Sequence, residues 1–300
     1  MLRVYARILR VTAKEVTAAG AAPALHMKQM TVSDEFERFQ TGAAKYAAYM
    51  ETPEGQLRLD LAFGNLQEFL PQDTAHLFAL DIGGGTGALA VRLARLGYHV
   101  TLLDASVPML DFAKRAAQEA GVTERIASKQ GDAAQLESLF DGGSFDLILC
   151  HNILEYVDDP SAVLRAAARG LRNSSSVISI LVRNRGGEVL KAAIKDGDLA
   201  TAEQNLTAER GHESLYGGSL RLFTAETLKA MLLESSLTVI AERGLRVVSD
   251  YLPSKISRHD HYERILELER KLGRRPEFAA VARYTQCLAH RASPDGATRS

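Results

Sequence analysis

The stretch LDIGGGTGALA, Leu80–Ala90, decides the fold, because it sets a glycine-rich turn between a short apolar strand and a helix. Glycines let the backbone approach a ligand closely, and the helix that follows offers unpaired N–H groups at its positive end. The turn matches G-x-G-x-x-A, a loose form of the dinucleotide fingerprint, and equally D-x-G-x-G-x-G. The glycines predict a nucleotide-bearing ligand, but they do not show which of the two patterns applies.

Strands alternate with helices of ten to fifteen residues on both sides of this turn. Such alternation predicts βαβ units with right-handed crossovers, and therefore a parallel sheet. We expect an α/β fold with a doubly wound, Rossmann-like sheet, helices on both faces and a helical N-terminal extension. The predicted strands of the core are LFALDI, YHVTLLDA, RIASKQGDA, SFDLILCHNI and SSVISILVRN.

The flanking segments predict how the rest of the chain is organised. Two helices are expected in residues 31–72, one capped by Ser33 and one by Thr52 with Pro53 behind it. A polar, mostly helical segment should interrupt the fold as an insert or lid. The predicted divisions are an N-terminal extension that is either ordered or disordered (1–30), helices that close over the ligand (31–72), the α/β core (73–185), the insert (186–223), the C-terminal part of the fold (224–291) and a tail (292–300).

Composition limits the classes of function. The 36 basic and 37 acidic residues nearly cancel, so no global field indicates a nucleic-acid or membrane partner. Both cysteines fall in apolar strands without metal-ligand spacing, and no window reaches the ~20 apolar residues that cross a bilayer. We therefore expect a soluble, cytoplasmic protein without a metal.

The first thirty residues carry five basic residues against one acidic residue. They form either an amphipathic extension or a stretch upstream of a start at Met27 or Met30.

Carboxylates stand at the ends of three predicted strands, where open α/β sheets bind ligands. Asp81 precedes the first glycine, where it suits a ligand ammonium group better than a pyrophosphate, although it could also order the turn. Asp104 follows about 20 residues later, where an acidic residue accepts ribose hydroxyls. Asp132 could accept from an adenine amino group or merely cap a helix. The block HNILEYVDDP, which starts at His151, has no place in a dehydrogenase.

Taken together, the chain resembles the class I S-adenosylmethionine-dependent methyltransferases over roughly residues 75–182. The resemblance implies S-adenosylmethionine as cofactor and disfavours the dinucleotide interpretation. The motifs that carry it stand in the family's order and spacing: LDIGGGTG, LLDAS, GDAA and FDLILCHNILEYVDDP.

The flanks are similar to one branch, the tRNA 5-carboxymethoxyuridine methyltransferases, which esterify a carboxylate on a wobble uridine. This resemblance implies tRNA as a partner, and it extends over about 240 residues. Its pieces outside the core are EGQLR, GLRVVSDYL, YERILELE and ARYTQCLAHR.

The resemblance also implies a role for each site residue. Arg58 would reach the methionine carboxylate of the cofactor, and His151 would lie near its sulfonium. The full set of expected cofactor-binding residues is Arg58, Asp81, Gly83, Gly84, Gly85, Gly87, Asp104, Ala105, Asp132, Ala133 and His151.

An acceptor carboxylate needs orientation more than a base, because its pKa near ~4 leaves it ionised at neutral pH. Arginine grips a carboxylate through two parallel hydrogen bonds. We therefore expect Arg183, Arg246, Tyr251 and Arg283 to bind the substrate, with His151, Arg246 and Tyr251 in the catalytic set. Alternatively, Arg246 and Asp250 form a structural ion pair. If the acceptor were a hydroxyl or an amine, His151 would become the base.

One departure from the branch keeps other functions open. The segment NLTAERGHESLYGGSLRLF lacks the lysine-rich run suited to tRNA phosphates, and Arg183 stands where the branch usually has an aromatic residue. The alternative is a small-molecule O- or N-methyltransferase in which residues 186–223 cover an enclosed pocket. A binding protein that has lost its activity is a third hypothesis. The oligomeric state is not predicted.

Overall fold

The computed structural model describes residues 32–292 apart from 214 and 216, with side chains from residue 37 onward. The predicted extension 1–30 and most of the predicted tail lie outside the described residues. Within them, the strands are β1 (Phe78–Ile82), β2 (His99–Asp104), β3 (Ile126–Gln130), β4 (Leu147–His151), β5 (Val177–Arg183), β6 (Arg210–His212), β7 (Ser219–Arg221), β8 (Leu237–Leu245) and β9 (Tyr284–Arg291).

Helices flank and connect these strands. The described α-helices are α1 (Val32–Met50), α2 (Pro53–Gln67), α3 (Ala88–Leu96), α4 (Val107–Glu119), α5 (Leu136–Leu139), α6 (Pro160–Gly170), α7 (Arg185–Leu190), α8 (Leu199–Asn205), α9 (Ala225–Glu234), α10 (Tyr262–Gly273) and α11 (Pro276–Ala279). A short π-helix, Lys191–Asp196, continues α7.

Seven of the described strands form one sheet in the order β3-β2-β1-β4-β5-β9-β8. The first five run parallel, which confirms the doubly wound α/β core. β9 is antiparallel to both neighbours, so the expectation of a parallel sheet is wrong for this one strand. Its reversed direction places the first residue of β9 at the same edge as the last residues of β1 to β5.

Side chains on alternate positions of the strands build a core on each face of the sheet. Leu80 and Ile82 of β1 pack with residues of α6 and α9, whereas Ala79 faces α2, α3 and α4. Helices on both faces are therefore confirmed. A third apolar cluster joins α2 and α10 to the ends of β5 and β8, close to the edge where the core strands end.

Local signals place most helix ends correctly. Thr52 caps α2 by accepting from the backbone N–H of Gly55, as expected, and Gly97 ends α3 in the left-handed region. The described part of α1 begins at Val32, so the predicted cap residue Ser33 stands within the described helix. Within 186–223 the chain forms the hairpin β6–β7 besides the expected helices. The segment FAAVARYTQCLAHR predicts a closing strand, but β9 begins only at Tyr284 because α11 occupies the start of that segment.

Candidate active site

A cavity of about 910 Å³ opens at the sheet edge where the parallel core strands end. It brings together most of the residues predicted from the sequence. Those in its wall are Arg58, Gly83, Gly85, Asp104, Ala105, Asp132, Ala133, His151, Arg183, Arg246 and Arg283. Asp81 and Gly84 line a small adjoining cavity of about 50 Å³, while Gly87 and Tyr251 line neither.

The glycine turn requires glycine for two different reasons. Gly85 has φ +55°, a left-handed conformation that other residues adopt at a cost. Gly84 has an ordinary φ, but a Cβ there would stand 2.7 Å from Leu102 Cγ and 2.9 Å from Asp81 Cγ. The turn therefore lies directly over the Asp81 carboxyl group.

Asp81 is a buried carboxyl group whose Oδ2 finds no hydrogen-bond partner within the described part of the chain. Burial, and next the negative charge of Asp104, raise its pKa to about 7. An unsatisfied buried carboxylate is unfavourable unless a partner arrives. A ligand ammonium group would satisfy it, which fits the amino acid end of S-adenosylmethionine.

Asp104 and Asp132 are held in place by backbone N–H groups. Asp104 accepts from the N–H of Gly85 and of Ser106, each at 2.8 Å, and burial nevertheless raises its pKa. Since a carboxylate offers about four lone-pair sites, two remain for ribose hydroxyls. Asp132 caps the turn that follows β3 through the N–H of Ala134 and also lines the cavity, so capping does not exclude contact with adenine.

Arg58 projects from α2 into the cavity wall and is well anchored. Its guanidinium donates to Asn152 Oδ1 at 3.1 Å and to the Tyr46 hydroxyl at 2.9 Å, and it packs over the ring of Tyr49. Neighbouring tyrosines outweigh its burial and raise its pKa further, so it stays charged. A fixed charge of this kind suits the carboxylate of the cofactor.

His151 ends β4 and is kept neutral. Burial, and next the charge of Arg58, lower its pKa to about 3. Its Nε2 lies 2.8 Å from Ser179 Oγ, which also accepts from Gln286 Nε2. The serine hydrogen is then free to point at His151 Nε2, which leaves the ring proton on Nδ1. A histidine with this pKa is a weak base.

Arg183 lies in the cavity wall and is paired with two carboxylates. Its guanidinium donates to Glu188 Oε1 at 3.1 Å and to Glu213 Oε2 at 2.9 Å. Arg283 shares Glu188, with 3.0 Å between Nη1 and Oε1. Arg283 is buried, and the side chain of Arg183 is 11% exposed. Both arginines therefore already have carboxylate partners within the protein.

Arg246 follows β8 with φ +59°, in the left-handed region where a non-glycine residue is strained. Its Nε donates to Asp250 Oδ1 at 3.0 Å, and its Nη1 donates to the Tyr49 hydroxyl at 2.8 Å. The predicted pair of Arg246 and Asp250 is thus present. The pair also forms part of the cavity wall, so its structural role does not exclude a binding role.

The tyrosine in this site is not the one that the sequence suggested. Tyr251 lies outside the cavity wall, and its hydroxyl donates to Gly187 O at 3.4 Å. Tyr284, the first residue of β9, lines the cavity among the arginines instead. Sequence reasoning looks for ligand-binding residues at the carboxyl ends of parallel strands. It does not select Tyr284, because Tyr284 stands at the start of a strand that runs in the opposite direction.

Helix α1 and the β6–β7 loop contact each other, and both contribute to the cavity wall. Phe39 of α1 packs edge-on against Tyr156 with 5.1 Å between ring centres, and Leu215 of the β6–β7 loop lines the wall. Arg38 donates from α1 to Gly217 O at 3.1 Å. Glu213 fastens the same loop to the site through Arg183. The arrangement agrees with the predicted covering roles of residues 31–72 and 186–223, which remain predictions.

Comparison with known proteins agrees with this geometry. Residues 80–179 match the family model described as a methyltransferase domain. The tRNA 5-carboxymethoxyuridine methyltransferase of Escherichia coli (strain K12) is 30% identical over 246 residues, which cover 80% of this chain and 90% of the relative. The chain belongs to the same family as this relative. It is an S-adenosylmethionine-dependent methyltransferase, as the sequence motifs indicated.

More distant proteins share the core. The ubiquinone biosynthesis O-methyltransferase of Sodalis glossinidius (strain morsitans) is 29% identical over 57% of this chain and 68% of its own length. An S-adenosylmethionine-dependent methyltransferase from Thermotoga maritima superposes with a TM-score of 0.56 at 15% identity, over 85% of this chain and 99% of that one. At that identity the likeness concerns the fold.

Two kinds of feature are absent from the described residues. In residues 32–292, with 214 and 216 left out, no cluster of His, Cys, Asp or Glu side chains is suited to a metal ion. Over the same residues no helix combines the length and the apolar character that crossing a bilayer demands.

Proposed function

We propose that this methyltransferase transfers a methyl group to the carboxylate oxygen of 5-carboxymethoxyuridine in tRNA, forming the methyl ester. The observation that carries the proposal is the cationic acceptor end of the cavity. This end of the cavity is defined by four guanidinium groups, which together form an environment for an anion. They belong to Arg58, Arg246 and Arg283, which are buried, and to Arg183, whose side chain is 11% exposed. The family relationship supports the same acceptor.

Bound S-adenosylmethionine supplies an electrophilic methyl group on a sulfonium. The residues of the chain then have to hold the acceptor oxygen in line with that methyl group and exclude water. Arg246 and Arg283 are placed to orient the carboxylate, while Phe39 and Leu215 cover the mouth. No proton has to be removed from an ionised carboxylate, which agrees with a neutral, weakly basic His151.

Binding to tRNA also needs contacts to phosphates, and the basic groups expected around the mouth divide into two sets. A tRNA substrate predicts a basic surface around the mouth that includes Arg246 and Arg283, but both residues are buried in the cavity wall and do not belong to that surface. Lys191 and Lys195 line the cavity wall, and Lys255 is exposed. Under the proposal these lysines contact the phosphates of the anticodon loop.

The test is methyl transfer from labelled S-adenosylmethionine to bulk tRNA that lacks its final wobble-uridine ester. We expect label in tRNA that mild alkali removes, because a methyl ester is hydrolysed where N- and C-methyl groups persist. Fully esterified tRNA serves as the matched control and should take up none. Alkali-stable label, or no label in either tRNA, would refute the carboxylate ester.

A small-molecule acceptor is the second candidate, favoured by the acidic residue Glu213 in the segment where a lysine-rich run would suit tRNA. A tRNA-free metabolite extract distinguishes it. Label confined to that extract would make residues 186–223 a lid over a small substrate.

A further inference from the structure

Tyr284 occupies the centre of the acceptor end because of its place in the sheet. It pairs with Arg183 of β5 on one side and with Leu245 of β8 on the other. Both neighbouring strands end here, whereas β9 begins here. The phenol is therefore set between the residues that terminate β5 and β8, and it is buried against them.

Three guanidinium groups pack on the ring of Tyr284. The distances from Cζ to the ring centre are 5.1 Å for Arg183, 5.7 Å for Arg58 and 5.9 Å for Arg246. The hydroxyl makes no hydrogen bond to any other residue that the structure describes, although Tyr284 lines the cavity. A hydroxyl donor thus stays available in a cationic pocket.

The charged groups nearest this hydroxyl are mostly cationic. The guanidinium groups of Arg58, Arg183, Arg246 and Arg283 and the ammonium groups of Lys191 and Lys195 line this part of the cavity, whereas the carboxylates paired with them are those of Glu188, Glu213 and Asp250. Glu155 also accepts from the backbone N–H of Arg183. The other titratable residues of the cavity wall are Tyr46, Tyr49, Glu54, Asp104, Asp132, His151, Tyr156, Asp158 and Asp159.

We propose that the Tyr284 hydroxyl donates a hydrogen bond to the acceptor carboxylate, and that the arginine cluster around it selects the ionised acid over the neutral methyl ester. This inference rests on the proposed carboxylate acceptor and names the group that recognises it. The cationic groups around the hydroxyl attract a carboxylate. The methyl ester product carries no charge, so the cationic groups no longer attract it and it dissociates.

Ionisation of Tyr284 would remove both parts of this recognition. Burial alone raises a phenol pKa, but here the surrounding guanidinium charges outweigh burial and lower the pKa to about 8. Below that pH the phenol is neutral and can donate. Above it the phenolate cannot donate, and its negative charge repels the acceptor carboxylate. Affinity for the acceptor should therefore fall as the pH rises through about 8.

The experiment titrates Tyr284 directly, through the near-ultraviolet absorbance of tyrosinate in the full chain with S-adenosylmethionine bound. Wild type should show a phase with a midpoint near pH 8 that Tyr284→Phe lacks. Tyr98→Phe, at a buried tyrosine outside the cavity whose pKa is raised to about 12, is the matched control and should keep that phase.

The ligand probe is methoxyacetate, which carries the ether and carboxylate of the proposed acceptor, with methoxyacetamide as its neutral control. Methoxyacetate should raise the midpoint of the Tyr284 phase, because bound negative charge disfavours phenolate, and the amide should leave it unchanged. An unshifted midpoint, or an equal shift with both probes, would overturn the proposal. The wild-type titration decides this even where Tyr284→Phe does not fold.

Turnover separates this inference from the proposed tRNA substrate. With esterifiable tRNA, Tyr284→Phe should raise the KM for tRNA by about tenfold or more, since a hydrogen bond to a charged group contributes about 1.5–3 kcal/mol. A methoxyacetate shift without any methylation of tRNA would support the carboxylate site and reject the tRNA acceptor. Unchanged KM in a folded Tyr284→Phe variant would reject the role of Tyr284.

Discussion

At the scale of single residues, the site carries groups that oppose the stability of the fold. Asp81 is the clearest case, because its buried carboxyl lacks a described partner and has a pKa raised to about 7. Its protonated form is favoured when no cation faces it. Its ionised form suits a cationic ligand, so the residue couples cofactor binding to pH.

Replacing Asp81 with Asn should stabilise the ligand-free protein and weaken its binding of S-adenosylmethionine. The folded-state pKa lies above the unfolded value, so this carboxyl costs stability as the pH rises from about 4 to 7. At pH 8 the variant should gain on the order of 2–4 kcal/mol in free energy of unfolding, because each tenfold change in an ionisation constant corresponds to about 1.4 kcal/mol. Thermal unfolding with and without cofactor measures both effects.

The same carboxyl predicts a pH dependence of cofactor affinity. Between pH 5.5 and 7.5, the affinity of wild type for S-adenosylmethionine should rise with pH, because ionised Asp81 attracts the ammonium group. Calorimetric titration of wild type and Asp81→Asn across this range makes the test. Equal pH slopes for the two proteins would show that Asp81 does not face the ammonium group.

At the residue level, a local rule predicted which side chains lie near one another. Asp81, Asp104 and His151 line the two adjoining cavities because the carboxyl ends of parallel strands meet at one edge, and their roles remain predictions. Tyr284 was missed because its position depends on the reversal of β9, which is a tertiary property. Tyr251 was chosen from a motif, although the turn after β8 directs its hydroxyl towards Gly187.

At the scale of elements, the glycine turn is the least adaptable part of the donor site. Gly84→Ala should abolish binding of S-adenosylmethionine, because the new methyl group would overlap Leu102 and the Asp81 carboxyl. Gly64→Ala, in α2, is the control: its Cβ would meet the flexible end of Arg270 at 3.3 Å, and alanine favours helix. Retained binding in a folded Gly84→Ala protein would contradict this account of the turn.

The β6–β7 hairpin should depend on one buried ion pair. Glu213 accepts from Arg183, Tyr156 and the N–H of Leu215, so Glu213→Gln leaves the buried Arg183 charge less compensated. Hydrogen exchange in residues 210–221 should become faster. Glu209→Gln, at an exposed residue before the hairpin, should leave exchange unchanged. Similar exchange in both variants would show that Glu213 does not hold the hairpin.

Elements with strong periodicity were predictable, and short ones were not. The five core strands and helices such as α3 and α9 follow from apolar spacing and caps. The hairpin was missed since its strands have three residues each, too few for a period-2 pattern. The start of β9 at Tyr284 was not predicted for the same reason, because the preceding α11 is a single helical turn and is also too short to show a periodic pattern.

At the scale of the whole molecule, acid should unfold the protein partly through His151. Its folded-state pKa of about 3 lies below the unfolded value of 6.5, so its contribution is complete above pH 6.5 and is lost as the pH falls towards 3. The slope from this residue is about 1.4 kcal/mol per pH unit. Urea unfolding from pH 7 to 4 should show a shallower decline for His151→Gln than for wild type, whereas parallel curves would refute the buried neutral imidazole.

The sheet order also has a consequence for synthesis of the chain. β9 is the last described strand to leave the ribosome, yet it lies between β5 and β8. The part of the site formed by residues up to His151 can therefore assemble early in synthesis. β8 has no strand partner in the sheet until β9 is made and pairs with it. The acceptor pocket is completed in that final step, so a nascent chain gains the ability to hold the methyl donor before it can recognise anything to methylate.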